Sequence, residues 1–120
     1  MRRFAWIILV YTAAQFTVSL VSAREPQRNI GTVNAADLPK EARQTITLIK
    51  QGGPYPYKKD GVVFGNFERR LPLHERGYYR EFTVPSPGSR NRGALRIILG
   101  KAGELYYTDD HYETFRRIRE

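Results

Sequence analysis

The sequence predicts an α+β domain: one amphipathic helix near its start, packed on a sheet of antiparallel strands that fill the rest of the chain. Two observations carry this. Leu38, Ala42, Ile46 and Ile49 recur at helical spacing and the pattern stops at Gly52-Gly53, as a helix with one apolar face and a glycine stop does. From Asp60 onward the apolar residues fall instead into short β-branched and aromatic runs, bounded by Gly, Pro, Asn and Asp clusters, the mark of strands joined by turns. One helix followed by a series of strands places the helix on one sheet face.

Taken in order, residues 1–23 have the anatomy of a signal peptide. Met1-Arg2-Arg3 is a basic start, Phe4 to Leu20 is mainly apolar, and Val21-Ser22-Ala23 is a small-residue cleavage site. A single-pass anchor is the rival, but Gln15, Thr17 and Ser19 dilute the run and no basic stop-transfer cluster follows. Residues 24–36 are polar without periodicity and read as an extended or loose N-terminal arm. The domain itself is read over 37–120. Asp37 stands at a helix N-cap position, with Pro39 and Glu41 in the first turn, where both are accommodated. Residues 54–61 are turn chemistry throughout. Strands are predicted at Val62–Phe64, Tyr78–Val84, Ala94–Leu99, Glu104–Thr108 and Tyr112–Ile118, with irregular connections between them. Along the second of these, Tyr79, Glu81 and Thr83 share one face, opposite Arg80, Phe82 and Val84. Along the third, Ala94, Arg96 and Ile98 oppose Leu95, Ile97 and Leu99.

Composition bounds the class. The chain of 120 residues carries a formal charge of +8, and loss of Arg2 and Arg3 with the leader leaves +6. A small basic exported protein meets phosphates, anionic lipids or acidic polysaccharides. With no cysteine, the domain holds its core by packing alone, for which eight Tyr, six Phe and numerous Ile, Leu and Val supply the bulk. Cysteine zinc sites are excluded, and two histidines far apart argue against a metal site.

Four groups can carry chemistry. Glu81 is a carboxylate in mid-strand, which a solvated face would also explain. Arg92 and Arg96 lie four apart across a loop-to-strand junction, where ordinary surface charge is the plain alternative. His111 sits in a loop between Asp110 and Tyr112, where binding residues concentrate but lone histidines are also commonplace. Glu68, after Gly65-Asn66, could merely close a turn. His74 matches no motif and reads as surface. Together the first three match one chemistry. Metal-free RNA cleavage needs a base for the 2′-hydroxyl, an acid for the departing 5′-oxygen, and cations for the phosphorane charge. Guanidinium forks suit phosphate oxygens.

Several stretches resemble the small secreted guanyl-specific ribonucleases of microbes, the barnase group, and above all its shorter streptomycete-type members. These are Gly77-Tyr78-Tyr79-Arg80-Glu81-Phe82-Thr83-Val84, Pro87-Gly88 with Arg92-Gly93 and Arg96-Ile97-Ile98, and Tyr106 to Phe115 (YYTDDHYETF). Asp60-Gly61-Val62-Val63-Phe64, and Leu38-Pro39 with Glu41-Ala42, fit as well, so the likeness spans about 37–118 in one order. The resemblance implies the microbial ribonuclease fold, with Glu81 as general base, His111 as general acid, and Arg92 and Arg96 as the phosphate clamp. It puts guanine recognition on Gly65, Asn66, Phe67 and Glu68, with Phe64 supporting that loop and Tyr112 lining the phosphate site. It further implies a secreted monomer acting on single-stranded RNA after guanosine through a 2′,3′-cyclic phosphate, with no cofactor or metal and no membrane contact once the leader is removed. A small acidic barstar-like inhibitor is a possible partner.

Departures from the family pattern bear on base choice. Phe67 stands where an Arg is usual, Gly65 replaces a bulkier residue, and Leu95 occupies a position where close relatives often carry a further Arg. Backbone readout survives these changes, and Phe67 can itself stack on a base. The rival readings are a non-catalytic basic RNA- or surface-binding protein on the same scaffold, and a secreted toxin using the same chemistry. Binding alone has no need for both an acid and a base.

Overall fold

The helix begins later than its cap residue predicts, and a proline is the reason. In the computed structural model, which describes residues 30–120, α1 runs Lys40–Gln51 with Pro39 at its N-cap. Leu38 is extended (ψ 155°), because a residue preceding proline is pushed out of the helical region. Asp37 therefore does not cap the helix. It ends a short 3-10 turn, Ala35–Asp37, and its carboxylate accepts from the Asn34 amide at 3.4 Å. At the other end Gly52 adopts φ 78° and donates its N–H to Ile49 O, while Gly53 N–H reaches Leu48 O at 3.0 Å. This is the left-handed glycine stop the sequence announced.

The described chain contributes six strands: β1 (Gly31–Asn34), β2 (Val62–Phe64), β3 (Tyr79–Thr83), β4 (Arg96–Gly100), β5 (Leu105–Thr108) and β6 (Arg116–Arg119). They form one sheet in the order β1-β6-β5-β4-β3-β2. All pairings are antiparallel except β1 with β6, which is parallel. Residues 31–34, read from sequence as part of a loose arm, are thus an edge strand of the sheet. Four residues with a glycine and an asparagine show no alternation of their own, and only the neighbouring β6 makes them a strand. The signal-peptide reading and the start of the arm lie outside the described residues. The last predicted strand, Tyr112–Ile118, is halved: 109–115 is a loop, and pairing starts at Arg116.

Side-chain alternation gives the sheet two unlike faces. Leu38, just before α1, and Ala42 and Ile46 within it seal one face against Val84, Ile97, Leu105, Tyr107 and Ile118, with Ile49 packed at the margin. On the opposite face Tyr79, Ile98 and Tyr106 are covered by Leu71 and Phe115 from loops, with Ile30, Phe64, Tyr78 and Tyr112 packed against them. That second cluster fills one end of the face and leaves the end carrying Glu81, Thr83 and Arg96 for other uses.

One side chain outside the core ties the strand carrying Glu81 to the turn before β2. Asp60 accepts the Thr83 N–H at 2.7 Å and the Tyr57 N–H at 3.1 Å. Thr83 is 1% exposed, so water cannot replace the lost acceptor. Asp60→Ala is expected to lower stability by about 1–3 kcal/mol, the cost of stranding a buried donor, measured by urea unfolding; a midpoint equal to wild type would contradict this role.

Candidate active site

Strand register brings the candidate residues together. Thr83 pairs with Arg96, which pairs on its other side with Thr108, and Glu81 pairs with Ile98 one step along the same face. Three adjacent strands therefore lay carboxylate, hydroxyls and guanidinium side by side, pointing away from α1. No alternation argument within one strand could place them across from one another.

Arg92 comes to this face from the 85–95 connection. Its Nε and Nη2 both donate to Thr83 Oγ1, at 3.0 and 2.8 Å, and Nη2 lies 3.4 Å from Glu81 Oε1. The loop is shaped for this by Asn91, whose side-chain oxygen accepts the Ser89 hydroxyl at 2.9 Å and the Gly93 N–H at 2.8 Å. Gly93 has φ 64°, and a Cβ there would collide with the Ser86 side chain. Thr83 was not singled out in the sequence. Its place on the Glu81 face was legible, but the guanidinium it holds was not.

Arg96 is only 2% exposed. A buried cation needs partners, and here they are oxygens: Nη1 donates to Leu95 O at 2.8 Å and Arg92 O at 3.4 Å, and Nε donates to the Tyr112 hydroxyl at 3.1 Å. Burial, and then the negative charge of Glu81, push the Tyr112 hydroxyl above the ordinary tyrosine value despite the pull of Arg96. Tyr112 thus stays a neutral hydroxyl beside Glu81 and Arg96 through neutral pH.

His111 and Tyr112 sit on a turn that L residues rarely adopt, with φ 55° and 70°. Single left-handed residues outside glycine are uncommon, and two in succession persist only where the surroundings hold them. Thr108 donates its hydroxyl to Asp110 at 2.8 Å and accepts the Tyr112 N–H at 3.1 Å. Asp110 also takes the Thr114 N–H and hydroxyl, at 2.9 and 2.5 Å. His111 N–H reaches Ala94 O at 3.1 Å, anchoring the loop to the head of β4. Burial works against the Asp110 carboxylate, but the bonds from Thr114 and Thr108 outweigh it and lower its pKa. A carboxyl lowered in this way supports the fold above its unfolded-state value and loses that support as the pH falls through the lowered one. The clamp therefore survives mild acid. The His111 side chain itself is exposed at the rim, its ring 4.9 Å from that of Tyr112.

The segment read as a base loop meets the His111–Tyr112 turn through Phe64. Phe64 stacks on Tyr112 at 5.2 Å between centroids, so its ring supports both the loop and the His111 turn. Asn66, with φ 50°, closes the loop on Leu71 in both directions: its amide donates to Leu71 O at 2.9 Å and its oxygen accepts Leu71 N–H at 3.1 Å. Phe67 is 83% exposed. Its ring folds over Gly65, where a Cβ would stand 2.5 Å from it, and Arg76 lies 5.8 Å from its centroid. Glu68 is held by Arg70 at 2.5 Å. His74, read as surface, is exposed and stacks on Tyr78 at 3.6 Å, away from the other candidates. The described residues contain no group of three or more His, Cys, Asp or Glu arranged to hold a metal ion.

Comparison with known proteins agrees with this architecture. Residues 22–119 match the ribonuclease family. The chain is 55% identical over 84 residues to guanyl-specific ribonuclease St of Saccharopolyspora erythraea, spanning 70% of this chain and 83% of that protein. It is likewise 55% identical over 89 residues to guanyl-specific ribonuclease Sa of Kitasatospora aureofaciens, spanning 73% of this chain and 93% of that one. Among solved structures, that of ribonuclease Sa2 in complexes with mononucleotides superposes with a TM-score of 0.75 at 49% identity, covering 76% of this chain and 95% of the other. A helix on a largely antiparallel sheet, a polar face bearing Glu81, Arg92 and Arg96, and about half of the aligned residues in common lead to one conclusion: the chain belongs to the microbial guanyl-specific ribonuclease family.

Proposed function

We propose that the protein is an exported endoribonuclease that cleaves single-stranded RNA on the 3′ side of guanosine without a metal. The observation that carries this reading is the convergence of Glu81, Arg92 and the buried Arg96 on one sheet face, with His111 on a braced turn at its rim. Export is supported by the leader pattern of residues 1–23. Guanine preference is supported by the relatives, which are guanyl-specific.

In the first step Glu81 takes the proton of the 2′-hydroxyl as that oxygen attacks phosphorus, and His111 gives a proton to the departing 5′-oxygen. The product is a 2′,3′-cyclic phosphate. In the second step the roles reverse: His111 takes a proton from water and Glu81 returns one to the 2′-oxygen. The phosphorane-like state spreads negative charge over its equatorial oxygens, which the paired guanidinium groups of Arg92 and Arg96 answer. Arg96 is already fixed by backbone carbonyls, so little reorganisation is needed as charge develops. The Tyr112 hydroxyl stays protonated and adds a neutral donor. At the base loop, backbone N–H groups meet guanine O6, and Glu68 accepts from N1–H and the exocyclic amine.

The joint test is a panel of GpN, ApN, CpN and UpN dinucleotides assayed in excess chelator; cleavage that requires metal, or that ignores the base, would count against the reading. Glu81→Ala and His111→Ala are each expected to lower turnover by ~10²–10⁴ with the fold intact, the range for a positioned acid or base. The rate should follow a bell with pH in wild type, and the alkaline limb should vanish in His111→Ala. An unchanged alkaline limb would remove His111 from the mechanism.

Arg96→Lys keeps the charge but cannot span the Leu95 carbonyl and the Tyr112 hydroxyl together. Turnover is expected to fall about ten- to a hundredfold with KM changed far less, since the clamp acts on transition-state charge. Full turnover in the lysine variant would make Arg96 a mere source of charge.

Glu68→Gln replaces an acceptor with a donor where guanine also presents a donor. Discrimination of GpN over ApN should drop by ~1–3 kcal/mol, by analogy with bidentate base contacts elsewhere, before turnover on GpN suffers. A constant ratio would move base recognition away from Glu68.

A further inference from the structure

Arg70 stands where the two halves of the site meet. Its side chain is 21% exposed, and from that position one planar guanidinium touches both loops. Nη2 lies 2.5 Å from Glu68 Oε2 and 3.5 Å from Glu113 Oε2, while Nη1 donates to the Tyr112 carbonyl at 2.7 Å. Glu68 belongs to the base loop. Tyr112 is the second residue of the left-handed pair that presents His111. Both carboxylates are about two-thirds exposed, and ion pairs of that kind add little to stability. A mostly covered fork bonded to a carbonyl of one loop and a carboxylate of the other instead links the two loops.

We propose that Arg70 is a positioning and specificity-determining residue that couples guanine recognition at Glu68 to the placement of His111. This rests on the roles given above to Glu68 and His111. Pairing through Oε2 restrains the Glu68 carboxylate and leaves Oε1 outside that ion pair. Guanine presents two N–H donors to that carboxylate and draws it into the site while Arg70 neutralises its charge from behind. Adenine presents the lone pair of its N1 instead and repels the carboxylate back onto Arg70. The same rigid fork bonds the Tyr112 carbonyl, so the shift is felt at the turn carrying His111. A correct base thereby favours a correctly placed acid, and a wrong base disturbs it.

The test compares Arg70→Met, Arg70→Lys, Glu68→Gln and the Glu68→Gln/Arg70→Met double variant on GpN and ApN, with kcat and KM measured separately and thermal unfolding as the control. Arg70→Met is expected to lower the GpN to ApN ratio of kcat/KM about tenfold, the effect of losing a charged hydrogen bond, and to lower kcat on GpN several-fold. In the Glu68→Gln background Arg70→Met changes the ratio no further, because the carboxylate it acts through is gone. A single ammonium reaches only one of the two acceptors, so Arg70→Lys recovers the ratio or the kcat but not both. Equal losses on GpN and ApN, additive effects in the double variant, or full recovery by lysine would each overturn the coupling and leave Arg70 a structural brace. Should Arg70→Met unfold, Arg70→Lys decides the matter alone. A wild type that cleaves RNA without preferring GpN would instead bring down the assignment of Glu68, before any Arg70 variant is made.

Discussion

The buried guanidinium of Arg96 is the constraint on which the site depends. Removing a cation from water is costly unless its donors are met, and Arg96, at 2% exposure, meets them with two backbone carbonyls and the Tyr112 hydroxyl. One of those carbonyls belongs to Arg92, the loop residue whose own side chain lies against Glu81. The other belongs to Leu95, at the entry to β4. The partners that make the buried charge tolerable are therefore the same groups that fix the arginine loop and the tyrosine beside His111. A disturbance at any of them reaches all the others.

The left-handed turn at His111 and Tyr112 is the second constraint. Such backbone is unfavourable for both residues and survives because Thr108, Asp110 and Thr114 close a ring of hydrogen bonds around it. The turn holds the His111 imidazole exposed at the rim of the site while the hydroxyl of its neighbour Tyr112 reaches in to Arg96. Strain of this kind, held by a braced loop rather than by a strand, explains why β6 starts only at Arg116.

The two faces of the sheet divide the labour of stability and chemistry. Helix α1 seals one face with aliphatic side chains, and the opposite face is filled at one end by Leu71, Tyr79, Ile98, Tyr106 and Phe115. The free end carries the polar row of Glu81, Thr83, Arg96 and Thr108. Phe64 joins the two regions, stacking on Tyr112 and meeting Phe115 edge-on at 5.9 Å. The 64–68 segment thus leans on the second core and on the His111 turn at once.

The helix, its glycine stop, β2 to β5 and the alternation that puts Glu81 and Thr83 on one face were legible in the sequence, because each depends on periodicity or turn chemistry within a few residues. Arg92, Arg96 and His111 stood out only as residue types, with nothing local to tell a clamp from surface charge; their family motifs singled them out. What tertiary structure alone decided is how distant pieces meet. Residues 31–34 became a strand because β6 offers them a partner, and Asp37 lost its capping role to the extended backbone that Pro39 imposes on Leu38. Thr83 became the seat of Arg92, Asp110 the brace of the His111 turn, and Arg70 the bridge between Glu68 and the Tyr112 carbonyl. Those roles are contacts between segments far apart in the chain, such as the 42 positions separating Arg70 from Tyr112. No short-range pattern encodes a contact whose geometry is set by strand register and by the closure of two loops over one face.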